Sequence, residues 1–217
     1  RKNIMSNTTE KNTTKTAAVQ AGAQTTGKAR YLTVIALMAA ISYILAFLEV
    51  PMPLAPSFAR MDASDVPALL TTFALGPVAG TVVELIKNVL QALSTSTGGI
   101  GELANFLMGA SLVFIAGLIY KQKKTRKIAV VSCVAGSVAM GIMAAIMNYF
   151  VLLPMYQIFM PIDQVIASFA EVIPFIHTKL DVVLYSALPG NIFKGLIVSV
   201  ITMLVYKRVS PAMKGMR

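Results

Sequence analysis

From residue 31 onward, long apolar runs alternate with short polar segments, and that spacing predicts a bundle of membrane-crossing helices. Residues 31–49, 102–120, 128–150 and 187–206 are each long and apolar enough to cross a hydrocarbon layer of about 30 Å. Residues 66–93 form a longer apolar stretch interrupted by Gly76-Pro77. Gly-Pro is a natural helix break, so the stretch reads as a short helix over 66–75 followed by another over 77–93. The first of these is too short to cross unaided and must be shielded by protein.

Charge fixes the topology that the pattern leaves open. Fifteen of the nineteen Lys and Arg residues fall in three blocks, residues 1–30, 121–127 and 207–217, with Glu10 the one acid among them. Basic blocks between apolar spans mark cytoplasmic loops. An even number of crossings must then separate the first block from the second. Counting 66–93 as two satisfies that parity and predicts an all-α integral membrane protein of six transmembrane helices, the second short and both termini cytoplasmic. Residues 50–65, 94–101 and 151–186 become the outer loops. Within the last of these, Pro161 and Pro174 bracket a short surface helix over 162–173, and His177 reads as a solvated loop residue.

Composition agrees. Of 217 residues, 56% are hydrophobic and 13% charged, about half the charged share of an ordinary soluble domain. The net charge of +10 is not a nucleic-acid footprint, because no aromatic residues interleave with the basic ones. The lipid bilayer is the expected partner. Residues 1–30, polar and without apolar period, are expected to be a disordered cytoplasmic tail. Residues 31–207 are the six-helix transmembrane, substrate-binding domain, and 208–217 are a basic cytoplasmic tail.

Little catalytic chemistry is on offer. The chain has no G-x-x-x-x-G-K-[ST] loop for nucleotide phosphates, and its lone cysteine, Cys133, builds neither a disulfide framework nor a metal site. One histidine and no nucleophile–base pairing leave no case for an enzyme, nor for a cofactor or metal. What stands out is polar side chains inside apolar spans, which are costly there and mark function or helix locking. Lys87, Asn88 and Gln91 lie near the outer end of the third helix, Glu102 and Asn105 at the outer start of the fourth, and Asn148 near the outer end of the fifth. Asn191 and Lys194, three apart, share a face of the sixth. Four helices thus bring polar groups to one depth, the pattern of a pocket opening outward. Each also has a structural reading: Lys87 snorkelling to the interface or pairing with Glu84 or Glu102, Glu102 acting on its helix dipole, and the asparagines bonding between helices.

The strings F-A-R-M-D-A-S-D-V-P-A-L-L (58–70), Gly76-Pro77, G-E-L-A-N-F (101–106), N-Y-F-V-L-L-P (148–154) and P-G-N-I-F-K-G (189–195) resemble, in order and spacing, the riboflavin-specific S components (RibU family) of energy-coupling factor transporters. The resemblance runs from about residue 31 to 207. It implies a bacterial plasma-membrane, multi-pass protein that captures riboflavin, as transported ligand and not as cofactor, from outside. It also implies a transmembrane coupling subunit and two cytoplasmic ATPase subunits as partners. Carried over residue by residue, Asn148, Asn191 and Lys194 contact the flavin and loop 50–65, with Asp62, helps to close the pocket. Lys87, Glu102 and Asn105 complete the candidate ligand-binding set. Ala36 and Ala40, a small-residue pair on the first helix, form the surface for the coupling subunit. A different vitamin or a phosphorylated flavin is the alternative ligand.

Overall fold

A computed structural model describes residues 28–57, 59–94, 98–158 and 160–214. It is helical throughout except for one small ribbon. The expected tail over 1–30 lies outside the described residues apart from its last three, which form the first turn of helix α1, Lys28–Leu45. Along α1, Val34, Ile35, Met38, Ala39 and Ser42 are buried while Leu32, Leu37 and Ile44 are exposed. The helix thus has one face for the bundle and one for lipid, both apolar, as membrane burial requires.

Helix α1 stops at Leu45, short of the expected residue 49. Pro51 and Pro53 bar a continued helix by removing backbone donors and disfavouring the helical conformation before them. The chain turns instead into an antiparallel two-residue ladder, Val50–Pro51 (β1) against Arg60–Met61 (β2). This ribbon is the one departure from the expected all-α class among the described residues.

Helix α2 (Asp65–Leu75) buries every residue from Asp65 to Ala74. At 11 residues it is only about 16 Å long, and its central place against α3, α4 and the last helix provides the shielding that a short intramembrane helix needs. Gly76 ends it at φ 113°, a conformation that costs a residue with a side chain dearly. Pro77 then opens α3 (Pro77–Ala92) at its first turn, where a missing N–H leaves nothing unsatisfied. The close return of α3 on α2 needs Gly80, since a Cβ there would lie 2.7 Å from the Ala68 carbonyl oxygen.

Helix α4 spans Ile100–Gln122, and α5 begins at Arg126 after Thr125, whose hydroxyl accepts from the Ile128 N–H. Here the helices outrun their expected lengths. Helix α5 (Arg126–Met147) continues through a π turn, Asn148–Leu152, into α6 (Leu153–Tyr156). The last span likewise begins at Lys179, not 187: α8 (Lys179–Val182) runs through a second π turn, Val183–Ala187, into α9 (Leu188–Lys214). Each π turn ends two residues before a proline, Pro154 or Pro189. Proline inside a helix removes one bond and crowds the carbonyl four residues back, and the widened turn accommodates both effects. The start at Lys179 is set by Thr178 and Asp181, which form a reciprocal capping box.

Four helical stretches are long and apolar enough to cross a membrane: Lys28–Leu45, Ile100–Gln122, Arg126–Tyr156 and Lys179–Arg208. Their lower halves, with α2 and α3, enclose the main core around Leu69, Val83, Leu112, Val113, Met140 and Val198. A second cluster gathers Leu153, Val165, Phe169, Ile176 and Val182 beneath α7 (Ile162–Ala170). That helix, expected over 162–173 after Pro161, caps one end of the bundle, and His177 beside it is exposed.

Candidate functional site: a polar-floored cavity

A cavity of about 360 Å³ lies at that capped end, within the roughly 300–1,000 Å³ common for small-molecule sites. Helix α4 presents Glu102, Asn105 and Met108 from its first turns, while the ribbon loop lies across with Met52, Arg60 and Asp62. The two π turns face each other over the cavity, one bringing Asn148 and Leu152, the other Ser186 and Ala187. Tyr156 and Phe169 supply an aromatic wall, and Asn191 and Lys194, one helical turn apart on α9, lie at the bottom.

The two asparagines have equivalent geometry. Asn148 Nδ2 donates to the Ala144 carbonyl at 2.8 Å, and Asn191 Nδ2 donates to the Ala187 carbonyl at 2.8 Å. Each bond runs back one turn along its own helix and fixes the amide plane. One N–H and the Oδ1 acceptor of each amide then remain to complement a ligand edge that alternates acceptors and donors.

Beneath the floor runs a buried ionic chain. Lys194 Nζ lies 3.2 Å from Asp65 Oδ2 and 4.0 Å from Asp62 Oδ1. Lys87 Nζ lies 2.7 Å from Asp65 Oδ1 and 2.7 Å from Glu84 Oε2, and donates to Ser64 Oγ at 3.0 Å. Asn88 Nδ2 donates to the Glu84 carbonyl at 2.8 Å, and Asn105 Nδ2 to Asn88 Oδ1 at 3.0 Å. The chain thus leaves the cavity wall at Lys194, passes under it through α2 and α3, and returns at Asn105. Gly109 lets α4 sit on it, since a Cβ there would lie 2.6 Å from Glu84 Oε2. Such close, mutual pairing is what keeps charges tolerable in a low-dielectric interior.

Of the seven candidate ligand-binding residues, Asp62, Glu102, Asn105, Asn148, Asn191 and Lys194 line the cavity together. Lys87 does not. Its side chain is 0% exposed, so it neither snorkels to the interface nor meets the cavity; Asp65 and Glu84 take its charge. Asp65, expected in an outer loop, is instead the shared partner of both lysines at the head of α2. Sequence reading also passed over Arg60, Tyr156, Phe169 and Ser186. The prolines at 154 and 189 were the signal for the π turns, and no periodicity places α7 over the site. Ala36 and Ala40 both lie on the exposed face of α1.

Comparison with known proteins adds a family. The model for the ECF transporter substrate-specific component matches residues 30–206. The riboflavin transporter RibU of Staphylococcus aureus (strain TCH60) is 38% identical over 184 residues, 84% of this chain and 92% of that protein. The riboflavin transporter FmnP of Bacillus subtilis (strain 168) is 31% identical over 193 residues, 88% and 97% respectively. A solved structure of the S component of a bacterial ECF transporter superposes with a TM-score of 0.67 at 35% identity, covering 86% of this chain and 99% of that one. With a family match over nearly all of the helical bundle, and relatives aligned along almost their full length, this membrane protein belongs to the substrate-specific components of ECF transporters.

Proposed function

We propose that the chain is the riboflavin-capturing subunit of an ECF importer in a bacterial plasma membrane. In this reading α1, α2, α3, α4, α5–α6 and α8–α9 make six crossings, with both termini and the 121–127 loop cytoplasmic and the cavity open to the outside. The observation that carries it is the convergence of Asn148, Asn191 and Lys194 on one cavity with apolar and aromatic walls. An isoalloxazine ring has an apolar dimethylbenzene end and an edge alternating carbonyl acceptors with an N–H donor. Two fixed amides complement that edge, Lys194 donates to a carbonyl or a ribityl hydroxyl, and Leu152, Tyr156 and Phe169 cover the ring. The names of the relatives, riboflavin transporters in both species, support the same ligand.

Charge favours an uncharged tail over a phosphorylated one. Arg60 lies 3.8 Å from Glu49, and Lys194 is held by Asp65 and Asp62, so a phosphate would have to compete with carboxylates for each lining cation. Energy for uptake is assigned to a transmembrane coupling subunit and two ATPase subunits, with the exposed Ala36 and Ala40 face of α1 as the docking surface for the coupling subunit. The test is titration of the detergent-purified, flavin-free chain with riboflavin and with its 5′-phosphate, followed by quenching of flavin fluorescence. Saturable one-to-one quenching by riboflavin, weaker for the phosphate, is expected. No saturable quenching by riboflavin overturns the assignment.

A further inference from the structure

A second cavity, of about 690 Å³, lies at the opposite end of the bundle and takes no part in the site above. Lys207 is sixteen residues beyond Asn191 on α9, about 24 Å along a helix. Its floor is apolar, formed by Phe73 and Ala129 with Val200 and Leu204 of α9, the last two exposed on the lipid-facing surface. Its rim is basic: Lys124, Arg126 and Lys207 all line it, all are exposed, and no carboxylate joins them. Among the described residues, none of the ion pairs involves these three. Thr125 caps α5 at the same rim, so the N-terminal dipole of that helix adds to the positive field. Tyr120 and Tyr206 pack on either side of Phe73, with ring centroids 4.7 Å and 6.0 Å away, and carry hydroxyls at the level where a bilayer turns polar.

We propose that this groove is a binding site for an anionic diacyl phospholipid, its phosphate between Lys124, Arg126 and Lys207 and one acyl chain along Val200 and Leu204. Charge complementarity selects the headgroup, and an apolar trough that opens sideways to lipid selects a membrane-borne ligand over a soluble anion. Three unneutralised cations on one edge of an apolar groove have no structural task in the bundle itself. A zwitterionic lipid gains less there, because its own ammonium offsets the phosphate.

Native mass spectrometry of the full chain in detergent, with phosphatidylglycerol, phosphatidylcholine or inorganic phosphate added, reads the site directly. Each rim cation is worth about fivefold in affinity, and all three together on the order of a hundredfold. Preferential retention of one phosphatidylglycerol is expected. Lys124→Gln/Arg126→Gln/Lys207→Gln should abolish that preference, and Leu204→Trp, which fills the trough with every charge in place, should also weaken it. Lys123→Gln/Lys127→Gln removes two charges from the same loop outside the groove and should leave it nearly intact. Size-exclusion elution and the helical circular dichroism signal verify that each variant is folded. Equal retention of phosphatidylcholine, equal loss per charge in the two charge variants, an unaffected Leu204→Trp, or displacement by inorganic phosphate would each overturn the proposal.

Discussion

Replacing Lys87 by Met tests whether the ionic chain under the cavity holds the bundle together. The substitution keeps most of the side-chain volume and removes the charge. It deletes contacts at 2.7, 2.7 and 3.0 Å and leaves Asp65 and Glu84, both 0% exposed, with a single remaining cation between them, Lys194. Removing one partner of a buried ion pair costs about 3–5 kcal/mol, which for a domain of this size corresponds to a melting shift of about 6–20 °C. Lys194→Met is milder, because Asp65 keeps Lys87 at 2.7 Å; one charged contact is lost, about 1.5–3 kcal/mol. The chain contains its own reporter. Cys133 is its one cysteine and is 3% exposed, so a thiol-reactive fluorophore labels it only as the bundle opens on heating. Lys87→Met should melt well below Lys194→Met, and Lys194→Met below the parent. A Lys87→Met melting point within about 3 °C of the parent, given the cost above, or the reverse order of the two variants, refutes the structural role given to this chain.

Asn148→Ala and Asn191→Ala each remove an amide whose orientation is fixed by its own helix. Each should weaken riboflavin about tenfold by fluorescence titration while shifting the melting point little. Gly109→Ala pushes a methyl into Glu84 Oε2, which cannot swing aside because Lys87 holds it at 2.7 Å; a thermal melt should record a loss of about 1–3 kcal/mol. Ala36→Trp with Ala40→Trp places bulk on an exposed face of α1. Co-purification with the coupling subunit should fail while flavin titration is unchanged, and intact co-purification would remove this face from the interface.

The apolar runs made the spans legible because a membrane asks for one property over about twenty residues, and Gly76-Pro77 marked the α2–α3 break because the two residues act within one turn. The cavity residues were legible for a related reason: Asn148, Asn191 and Lys194 are expensive in hydrocarbon, so their presence in apolar runs is itself a signal. Pairing was not legible in the same way. Nothing in the sequence says that Asp65 heads a buried helix, or that it receives lysines from positions 87 and 194, because that depends on how three helices pack. The π turns were read as ordinary helix, since Pro154 and Pro189 sit in runs whose apolar character is unbroken. Helix α7 was found from its brackets, Pro161 and Pro174, but that Phe169 reaches the cavity follows from long-range packing alone.

Lys194 has carboxylates on two sides, and they differ in what they are attached to. Asp65 at 3.2 Å belongs to the buried helix α2, whereas Asp62 at 4.0 Å belongs to the segment that connects the ribbon to it. If the ribbon lifts to admit a ligand, the ammonium loses only the longer contact and stays neutralised from below. Access to the cavity is therefore uncoupled from the cost of stranding a bare cation inside a bilayer. The doorway moves against one weak latch, while the counter-charge stays with the frame.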